Sequence, residues 1–478
     1  MISLFLILLP LAGLLVVWAS GNRLKVHVGV INITALLHCA ATASLWFFPE
    51  LDDIAANKIS ELIGQDFLSL TVLSVVSFLN LLSSVQTIKY FPMVRQRFVE
   101  NAEKFLSPQL VAICLLGFLS SMTLVASSRN FGLLWVAMEA TTLASAPLII
   151  FRRSGNSLEA MWKYILICSV GIGFALFGTM LLAIAGEGSH AGMDMLLLSQ
   201  ADLHPEWFKA AFVFMLAGYG TKMGLAPFQS WMPDAYSEAP GVLSVLSSGA
   251  LLACSFLGVA RVLEIAPESV RGFCTSLMLA LGLISLALAA FFIVRQNDYK
   301  RMLAYSSMEH MGLVSIMWAL GLHSVALLHI IIHALLKVVL FMTADNIQLA
   351  CNTQKISNIS GLLGVIKRNG INYILAMLLL CGMPPSPLFF TEMTLISSNV
   401  CLGGVVLVLL FVVFAGMTYH ALRMTMGKRS ACTADAAEVK KLERLSNIPT
   451  VVLVLVLAAG LLLAAGFVLG EFGFATVR

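Results

Sequence analysis

Ionisable side chains interrupt several long apolar stretches of this 478-residue chain. Glu139 lies within FGLLWVAMEATTLASAPLII, Lys222 stands just before GLAPFQSWMPDAYSEAP, and Glu392 lies within GMPPSPLFFTEMTLI. A charged side chain at the centre of a bilayer costs roughly 2.5–3.5 kcal/mol, and residues retained there tend to mark ion or proton pathways. Carboxylates and amines in such surroundings are therefore candidate proton carriers.

His329, His333 and Lys337 recur at intervals of four in LLHIIIHALLKVVLF. This spacing stacks the three side chains on one face of a helix. A His-x-x-x-His pair can bind a metal, but the lysine at the same interval opposes a cation and no carboxylate lies between. The pattern favours a hydrated, proton-conducting face, with satisfied core histidines as the alternative.

Further ionisable residues close to these segments are additional candidates for the same pathway. They are Lys163, Lys300, Glu309 and His310. Glu309 and His310 lie near a predicted membrane edge, so a structural or interface role is an equal alternative for them.

Glu139 and Lys222 carry opposite charges and are candidates for pairing across two helices. One interpretation is a purely structural ion pair. The other is a switch, because burial disfavours the charged form of a lysine while a nearby carboxylate favours it. A carboxylate that moves would then change the proton affinity of the lysine.

These residues must be held by membrane helices. The chain is 59% hydrophobic and 11% charged, with a mean hydropathy of +0.93, whereas soluble domains carry about 25% charged residues. Hydropathy predicts an all-α integral membrane protein with about 14 transmembrane helices and no sizeable soluble domain. We expect the helices near 2–19, 26–48, 66–88, 108–126, 130–151, 161–186, 207–228, 240–264, 272–294, 303–321, 324–348, 371–398, 401–423 and 449–470.

Basic residues predict the orientation of these helices. Most Lys and Arg outside the spans follow odd-numbered helices, for example Arg152, Arg153 and the cluster from 428 to 444. The positive-inside rule places those loops in the cytoplasm and both termini on the other side of a bacterial or archaeal cytoplasmic (inner) membrane. The loop between helices 7 and 8 departs from the trend, since it holds Asp234 and Glu238 and no base.

Glycine and proline interrupt two of the predicted helices next to an ionisable residue. The run from Lys222 to Pro233 should unwind helix 7, and the prolines between 384 and 387 should unwind helix 12 near Glu392. Broken helices at mid-membrane commonly line ion sites. An offset of five helices predicts two inverted repeats, helices 4–8 and 9–13. The predicted organisation is helices 1–3 in 1–107, a first repeat in 108–264, a second repeat in 265–425, and a cytoplasmic loop with helix 14 in 426–478.

Other classes of function lack support in the residues. The nine cysteines are scattered without a Cys-x-x-Cys pair, whereas zinc and iron–sulfur sites need clustered thiolates. No phosphate-binding loop or nucleophilic serine motif is present. If the chain takes part in redox chemistry, it does not hold the redox centre itself, and we expect no cofactor or metal in it.

Four motifs resemble the antiporter-like, proton-translocating membrane subunits shared by respiratory complex I, Mrp-type cation/proton antiporters and group 4 nickel–iron hydrogenases. They are TKMGLAPFQSWMPDAYSEAP, NDYKRMLAYSSMEHMG, HIIIHALLKVVLF and GMPPSPLFFTEM, within residues 108–425. SSMEHMG and GMPPSPLFFTEM look most similar to the component F branch of hydrogenase-4 and formate hydrogenlyase-type complexes.

The resemblance implies roles for particular residues of this chain. Glu139 would be the glutamate that pairs with the helix-7 lysine, Lys222. Lys337 with His329 and His333 would form the central connecting relay, and Glu392 the terminal site on helix 12. The family's common helix-8 lysine is absent, because Ala253 stands at that position. The half-channels would then connect through water or Ser255, or the pathway would be impaired.

By this resemblance the chain is a proton-translocating subunit, with Na⁺ as an alternative ion, of a membrane-bound nickel–iron hydrogenase or related respiratory oxidoreductase. Other membrane subunits and a peripheral arm with nickel–iron and iron–sulfur centres would be its partners; no nucleic acid is implied. An Mrp-type antiporter subunit is one alternative. A membrane coupling subunit of a soluble enzyme, such as an inorganic-carbon uptake complex, is another.

Overall fold

A computed structural model describes residues 2–21, 23–49, 62–100, 105–188, 191–427 and 436–468. Within these ranges the chain is all-helical, and extended segments meet only in isolated bridges such as Asn130 with Asp194. The fold class predicted from the sequence is confirmed.

The helices of the described ranges are numbered here in chain order. They are α1 Ile2–Ala19, α2 Leu24–Phe47, α3 Phe67–Glu100, α4 Pro108–Ser127, α5 Phe131–Ile149, α6 Gly155–Ala185, α7 Met195–Gln200, α8 Pro205–Met223, α9 Trp231–Glu238, α10 Gly241–Val245, α11 Leu252–Glu264, α12 Glu268–Arg295, α13 Tyr299–Ala319, α14 His323–Cys351, α15 Leu362–Val365, α16 Lys367–Leu380, α17 Pro387–Ser398, α18 Val400–Thr425, α19 Ala436–Leu445 and α20 Asn447–Val468. A π-helical turn, Leu246–Leu251, joins α10 to α11, and a 3₁₀ turn spans Ile356–Asn358.

Eleven helices in the described ranges are long and apolar enough to cross a membrane. The predicted helices 7, 10 and 12 are not among them. α8 and α13 carry three or more charged residues each, and predicted helix 12 is divided into the shorter α16 and α17. The total of 14 spans therefore stays a prediction.

The chain divides into two compact units, residues 1–278 and 279–478, with the division inside α12. The predicted repeat boundaries are not tested by this division and stay a prediction. Part of the predicted cytoplasmic loop, residues 428–435, and both chain ends, residue 1 and residues 469–478, lie outside the described ranges. The predicted sidedness of the termini is likewise untested.

In the first unit, small residues bring α8 close to α6. A Cβ atom added to Gly218 of α8 would lie 2.7 Å from the carbonyl oxygen of Gly171, and one added to Gly178 of α6 would lie 2.8 Å from the backbone nitrogen of Met215. Such small-residue contacts let membrane helices approach at backbone distance. They fix the register of α8 and therefore the position of Lys222 near its end.

In the second unit, α14 is the central helix. It packs against α13, α16, α17 and α20, and nearly all its residues from Val325 onwards are buried. The neighbouring helices α12 and α13 meet through Gly282 and Gly312, each of which leaves no room for a Cβ beside the other's carbonyl oxygen. The buried face of α14 carries His329, His333 and Lys337.

Candidate functional site

The predicted break after Lys222 is confirmed. α8 ends at Met223 because Gly224 adopts a left-handed conformation with φ +77°, which favours glycine. The amide of Gly224 donates to the carbonyl of Thr221, and the indole of Trp231 donates to the same carbonyl over 2.9 Å. A terminal carbonyl that would lack a helical partner is thus satisfied inside the protein.

Lys222 is completely buried next to this break. Its Nζ donates to Thr141 Oγ1 over 2.6 Å and to the carbonyl oxygen of Met138 over 3.2 Å. The ammonium group also lies 5.8 Å from the centroid of the Tyr164 ring, within the range of a cation–π interaction. Two hydrogen bonds to α5 and the aromatic face of Tyr164 on α6 hold the buried amine.

Glu139 lies on α5 one residue after Met138, but it forms no ion pair with Lys222 in the part of the chain the structure describes. Its Oε1 accepts a hydrogen bond from Ser169 over 2.8 Å, and its Oε2 accepts one from Thr142 over 3.3 Å. The interpretation of a direct structural ion pair is therefore wrong for this arrangement. The carboxylate and the amine each have different hydrogen-bond partners.

Lys163 differs from its prediction as an intramembrane charge. Its side chain is 44% exposed and forms ion pairs with Glu159 at 2.7 Å and Asp234 at 3.0 Å. Asp234 belongs to the helix α9 and its side chain is only 16% exposed, so this acidic residue is paired and does not lie in a solvent loop. Exposed pairs of this kind contribute about 0–1 kcal/mol, and a role of Lys163 in proton transfer stays a prediction.

Ala253, which stands where the family commonly has a lysine in helix 8, lies in a tightly packed region. Ala253 is fully buried two residues after the end of the π-helical turn. Such π-helical turns are frequent at functional sites. Ser255 donates to its own helix at Leu251 over 2.8 Å, and its oxygen lies 3.9 Å from the sulfur of Met138. Ser255 therefore reaches the residue whose carbonyl holds Lys222.

The second unit contains a second buried lysine with a similar environment. Lys337 is completely buried, and its Nζ donates to Ser306 Oγ over 2.5 Å and to the carbonyl oxygen of Leu303 over 2.8 Å. Glu309 lies three residues after Ser306 on α13 and is also buried. No ion pair between Glu309 and Lys337 occurs within the described ranges.

Three buried histidines form a connected row beside Lys337. His310 Nδ1 and His329 Nε2 share a hydrogen bond of 2.9 Å, and the rings of His310 and His333 lie 4.9 Å apart between centroids. His329 Nδ1 shares a further hydrogen bond of 2.8 Å with Thr391 Oγ1, next to Glu392. His310 therefore lies in the centre of the cluster, which favours the pathway over the interface alternative.

The second predicted break is also confirmed. α16 ends at Leu380, Gly382 follows with φ +69°, and Ser386 caps the next half-helix. Ser386 Oγ donates to the carbonyl oxygen of Leu379 over 2.6 Å and accepts from the amide of Leu388 over 3.2 Å. One hydroxyl thus joins the two half-helices.

The carboxylate of Glu392 packs directly against Gly382 at this break, where a Cβ would collide with it. Glu392 is buried on α17. The break and the acidic side chain therefore occupy one small region of the second unit.

Several polar atoms of this cluster are buried without a hydrogen-bond partner within the described ranges. They are Glu309 Oε2, His310 Nε2, both ring nitrogens of His333 and Glu392 Oε1. Leaving a buried polar atom unpaired costs about 1–3 kcal/mol, so each calls for an explanation. Such groups are explained by ordered water or by a functional role.

Lys300 has a structural explanation instead. Its Nζ forms a 2.6 Å ion pair with Asp345, with both side chains almost fully buried. The pair joins the first turn of α13 to α14. Removing one partner of a buried pair would leave an uncompensated charge, at a cost of about 3–5 kcal/mol.

In the part of the chain that the structure describes, no group of three His, Cys, Asp or Glu side chains could hold a metal ion. Seven cysteines there carry free thiols.

Residues 128–418 match the family model described as NADH:quinone oxidoreductase/Mrp antiporter, transmembrane. The chain belongs to this family. The match covers both broken helices, both buried lysines and the histidine row. The resemblance inferred from the four motifs is therefore confirmed.

Relatives and a solved structure agree with this assignment. The chain is 37% identical over 292 residues to a hydrogenase-4 component F homologue of Methylacidiphilum infernorum, covering 59% of this chain and 61% of that protein. It is 30% identical over 293 residues to NADH-quinone oxidoreductase subunit N of Desulforudis audaxviator, covering 60% and 58%. The aligned region thus spans about three fifths of each relative.

A chain of the membrane-bound sulfane sulfur reductase, an archaeal respiratory membrane complex, has a similar structure. The TM-score is 0.81 at 20% sequence identity, over 97% of this chain and 95% of that chain. At this identity the likeness supports the fold alone.

Four functional contacts were not predicted from the sequence, namely those of Thr141, Ser169, Ser306 and Thr391. Each is a hydroxyl within an apolar helix that bonds to one of the candidate proton carriers. The residue types alone did not indicate these contacts, because Ser and Thr side chains within a helix commonly bond to the backbone of their own helix. Only the packing of neighbouring helices identifies which hydroxyls meet a lysine, glutamate or histidine.

Proposed function

We propose that the chain is a proton-translocating membrane subunit of a membrane-bound nickel–iron hydrogenase or a related respiratory oxidoreductase complex. The observation that carries the proposal is the pair of buried lysines, Lys222 and Lys337, each held on a neighbouring helix beside a carboxylate with which it forms no ion pair. Such lysines can gain and lose a proton with a small movement of one side chain.

In the first unit, Glu139 and Lys222 would exchange the proton. The ammonium of Lys222 would release a proton that Glu139 accepts when its carboxylate leaves Ser169 and Thr142. Because the two groups are not in contact, the transfer needs a side-chain movement or one bridging water. Reprotonation of the amine would complete the cycle.

In the second unit, the row from Lys337 to Glu392 would carry the proton. A proton arriving at His310 Nε2 would release the one on Nδ1 to His329 Nε2, and His329 Nδ1 would pass a proton to Thr391. Neutral imidazoles can conduct in this way because each has one donor and one acceptor nitrogen. Glu392, next to Thr391, would be the terminal site.

The remaining parts of the proposal concern partners and location. Other membrane subunits and a peripheral redox arm with nickel–iron and iron–sulfur centres would supply the energy, in line with the relative named as a hydrogenase-4 component F homologue. The chain would lie in the cytoplasmic membrane of a bacterium or archaeon, with both termini on the non-cytoplasmic side. Protons are the proposed cargo, with Na⁺ as the alternative.

An Mrp-type antiporter subunit is the second candidate, because the description of the family includes Mrp antiporters. Growth at high sodium and alkaline pH, without an electron donor, separates the two. A deletion strain that loses sodium tolerance under those conditions would favour the antiporter.

Co-purification tests the choice of complex. The chain would be tagged in its native host, extracted in a mild detergent, and its partners identified by mass spectrometry and metal analysis. We expect a large subunit that contains nickel, together with iron–sulfur proteins. Recovery of small membrane subunits alone would contradict the redox-driven complex and favour the antiporter, and recovery of one soluble enzyme would favour a coupling subunit.

A further inference from the structure

The two buried lysines are held by the same arrangement of atoms in two separate units. In the first unit, Lys222 donates to the hydroxyl of Thr141 and to the carbonyl of Met138, three residues earlier on α5. The Thr141 hydroxyl itself donates to that same carbonyl over 2.6 Å. The amine, the hydroxyl and the carbonyl thus form a closed triangle.

The second unit repeats the triangle on different helices. Lys337 donates to the hydroxyl of Ser306 and to the carbonyl of Leu303, again three residues earlier. The Ser306 hydroxyl donates to that carbonyl over 2.9 Å. Hydroxyls in helices often bond to the preceding turn, but a buried lysine completing the triangle in both units is a specific arrangement.

The triangle suits a protonated lysine. A hydroxyl has one proton, and here that proton points to the backbone carbonyl, so its lone pairs are left for the amine. Its own donation also strengthens it as an acceptor. An ammonium group gains charge-assisted bonds from such an acceptor, whereas a neutral amine gains less.

Each triangle also lies close to a carboxylate on its own helix. Glu139 precedes Thr141 by two residues, and Glu309 follows Ser306 by three. Glu139 is bonded to Ser169 and Thr142, whereas Glu309 Oε2 has no partner among the described residues. Each carboxylate also acts electrostatically on its lysine, so each lysine has two alternative acceptors, the triangle and, after a side-chain movement, the carboxylate.

We propose that Thr141 and Ser306 are positioning residues that hold the protonated lysine away from its carboxylate between transfer events. This inference rests on the proposed function. Without the hydroxyl, the ammonium keeps only the carbonyl and moves onto the carboxylate. A buried ion pair then holds both charges, and release of the proton slows.

Conservative variants separate the hydroxyl from the shape of the side chain. Thr141→Val removes the hydroxyl at nearly constant volume, and Thr141→Ser keeps it. The matched control is Thr71→Val, because the buried Thr71 in the same unit donates to its own helix at Phe67. In the second unit the corresponding set is Ser306→Ala and Ser306→Thr, with Ser315→Ala as the control on the same helix.

The measurement uses inside-out membrane vesicles of the native host, with the variant gene replacing the original. Reduced methyl viologen is the electron donor, the hydrogen evolved counts the electrons, and quenching of an acridine dye reports proton uptake. We expect Thr141→Val and Ser306→Ala to lower proton uptake per hydrogen by about tenfold or more, because each removes one hydrogen bond to a charged group. Thr141→Ser, Ser306→Thr and both controls should stay within about twofold of the wild type. Recovery of the assembled complex shows that each variant has folded.

Several results would overturn the inference. One is equal uptake in Thr141→Val and Thr71→Val, and another is a Thr141→Ser variant as defective as Thr141→Val. If Thr141→Val does not assemble, the Ser306 set decides by the same criteria. The variant Lys222→Gln shows whether only the positioning role fails or whether the proposed proton translocation fails as well. Full uptake in Lys222→Gln would remove the proposed function, whereas loss of uptake there with normal uptake in Thr141→Val would remove only the positioning role.

Discussion

Replacing Gly382 with alanine tests whether the second break positions Glu392. The change has two separable effects. The first is backbone strain, because φ is +69° at Gly382 and a left-handed conformation costs a residue with a Cβ about 1–2 kcal/mol. The second is a collision between the new Cβ and the carboxylate of Glu392, which must move to make room.

Gly321→Ala isolates the second effect. Gly321 lies in the same unit with φ +79°, and a Cβ there meets nothing within 4 Å. Both variants should lose a similar amount of stability, which the apparent Tm of the purified complex measures. Only Gly382→Ala should lose proton uptake, by about tenfold to a hundredfold, because a displacement of about 1 Å can cost that much in a positioned site.

The two variants also define the refutation. Proton uptake that is equal in Gly382→Ala and Gly321→Ala, at equal assembly, would show that the position of Glu392 does not matter. A larger loss of Tm in Gly382→Ala with normal uptake would assign the contact to stability alone.

Three further predictions concern groups outside that break. Lys300→Met should cost about 3–5 kcal/mol, seen as a sharp fall in recovered complex, because it leaves Asp345 buried without its partner; adding Asp345→Leu should restore part of the yield. His310→Gln should lower proton uptake about a hundredfold or more by breaking the imidazole row, while the yield of complex stays normal. Burial alone would raise the pKa of Asp66, but the hydrogen bond and charge of Arg261 outweigh it and lower the pKa below the usual value. A carboxyl with a lowered pKa stabilises the folded chain above its ordinary pKa, so Arg261→Gln should lower the apparent Tm at neutral pH, and the difference should disappear as the pH falls below about 4.

The helices and their breaks were predictable because they depend on local chemistry. Long apolar runs in a membrane form few structures other than helices. Gly224 favours a left-handed helix end, and the prolines before Glu392 interrupt helical hydrogen bonding. The burial of Lys222 and Lys337 followed from their positions within such runs. The sequence also predicted that Lys222 lies at an unwound point, from the glycine and prolines that follow it, and that Lys337 lies beside histidines, from the spacing of four residues.

The partners of the buried charges could not be predicted in the same way. Opposite charges suggested that Lys222 would pair with Glu139, but α8, which packs against α6 and α11, directs the amine to Thr141 and a carbonyl of α5. Lys163 lies in a strongly apolar sequence, yet the return of the chain through α9 brings Asp234 beside it. Both outcomes depend on distances between helices, which a single sequence does not contain.

The most direct test of Lys222 as a proton carrier compares two lysines of the same helix, α8. Lys222 is buried beside Thr141, whereas Lys209 is partly exposed and paired with Glu206. Proton uptake per hydrogen evolved would be measured in inside-out vesicles that carry Lys222→Gln or Lys209→Gln. We expect Lys222→Gln to abolish uptake while hydrogen evolution continues, and Lys209→Gln to match the wild type. Equal, undiminished uptake in both variants would contradict the claim that the buried lysine carries the proton.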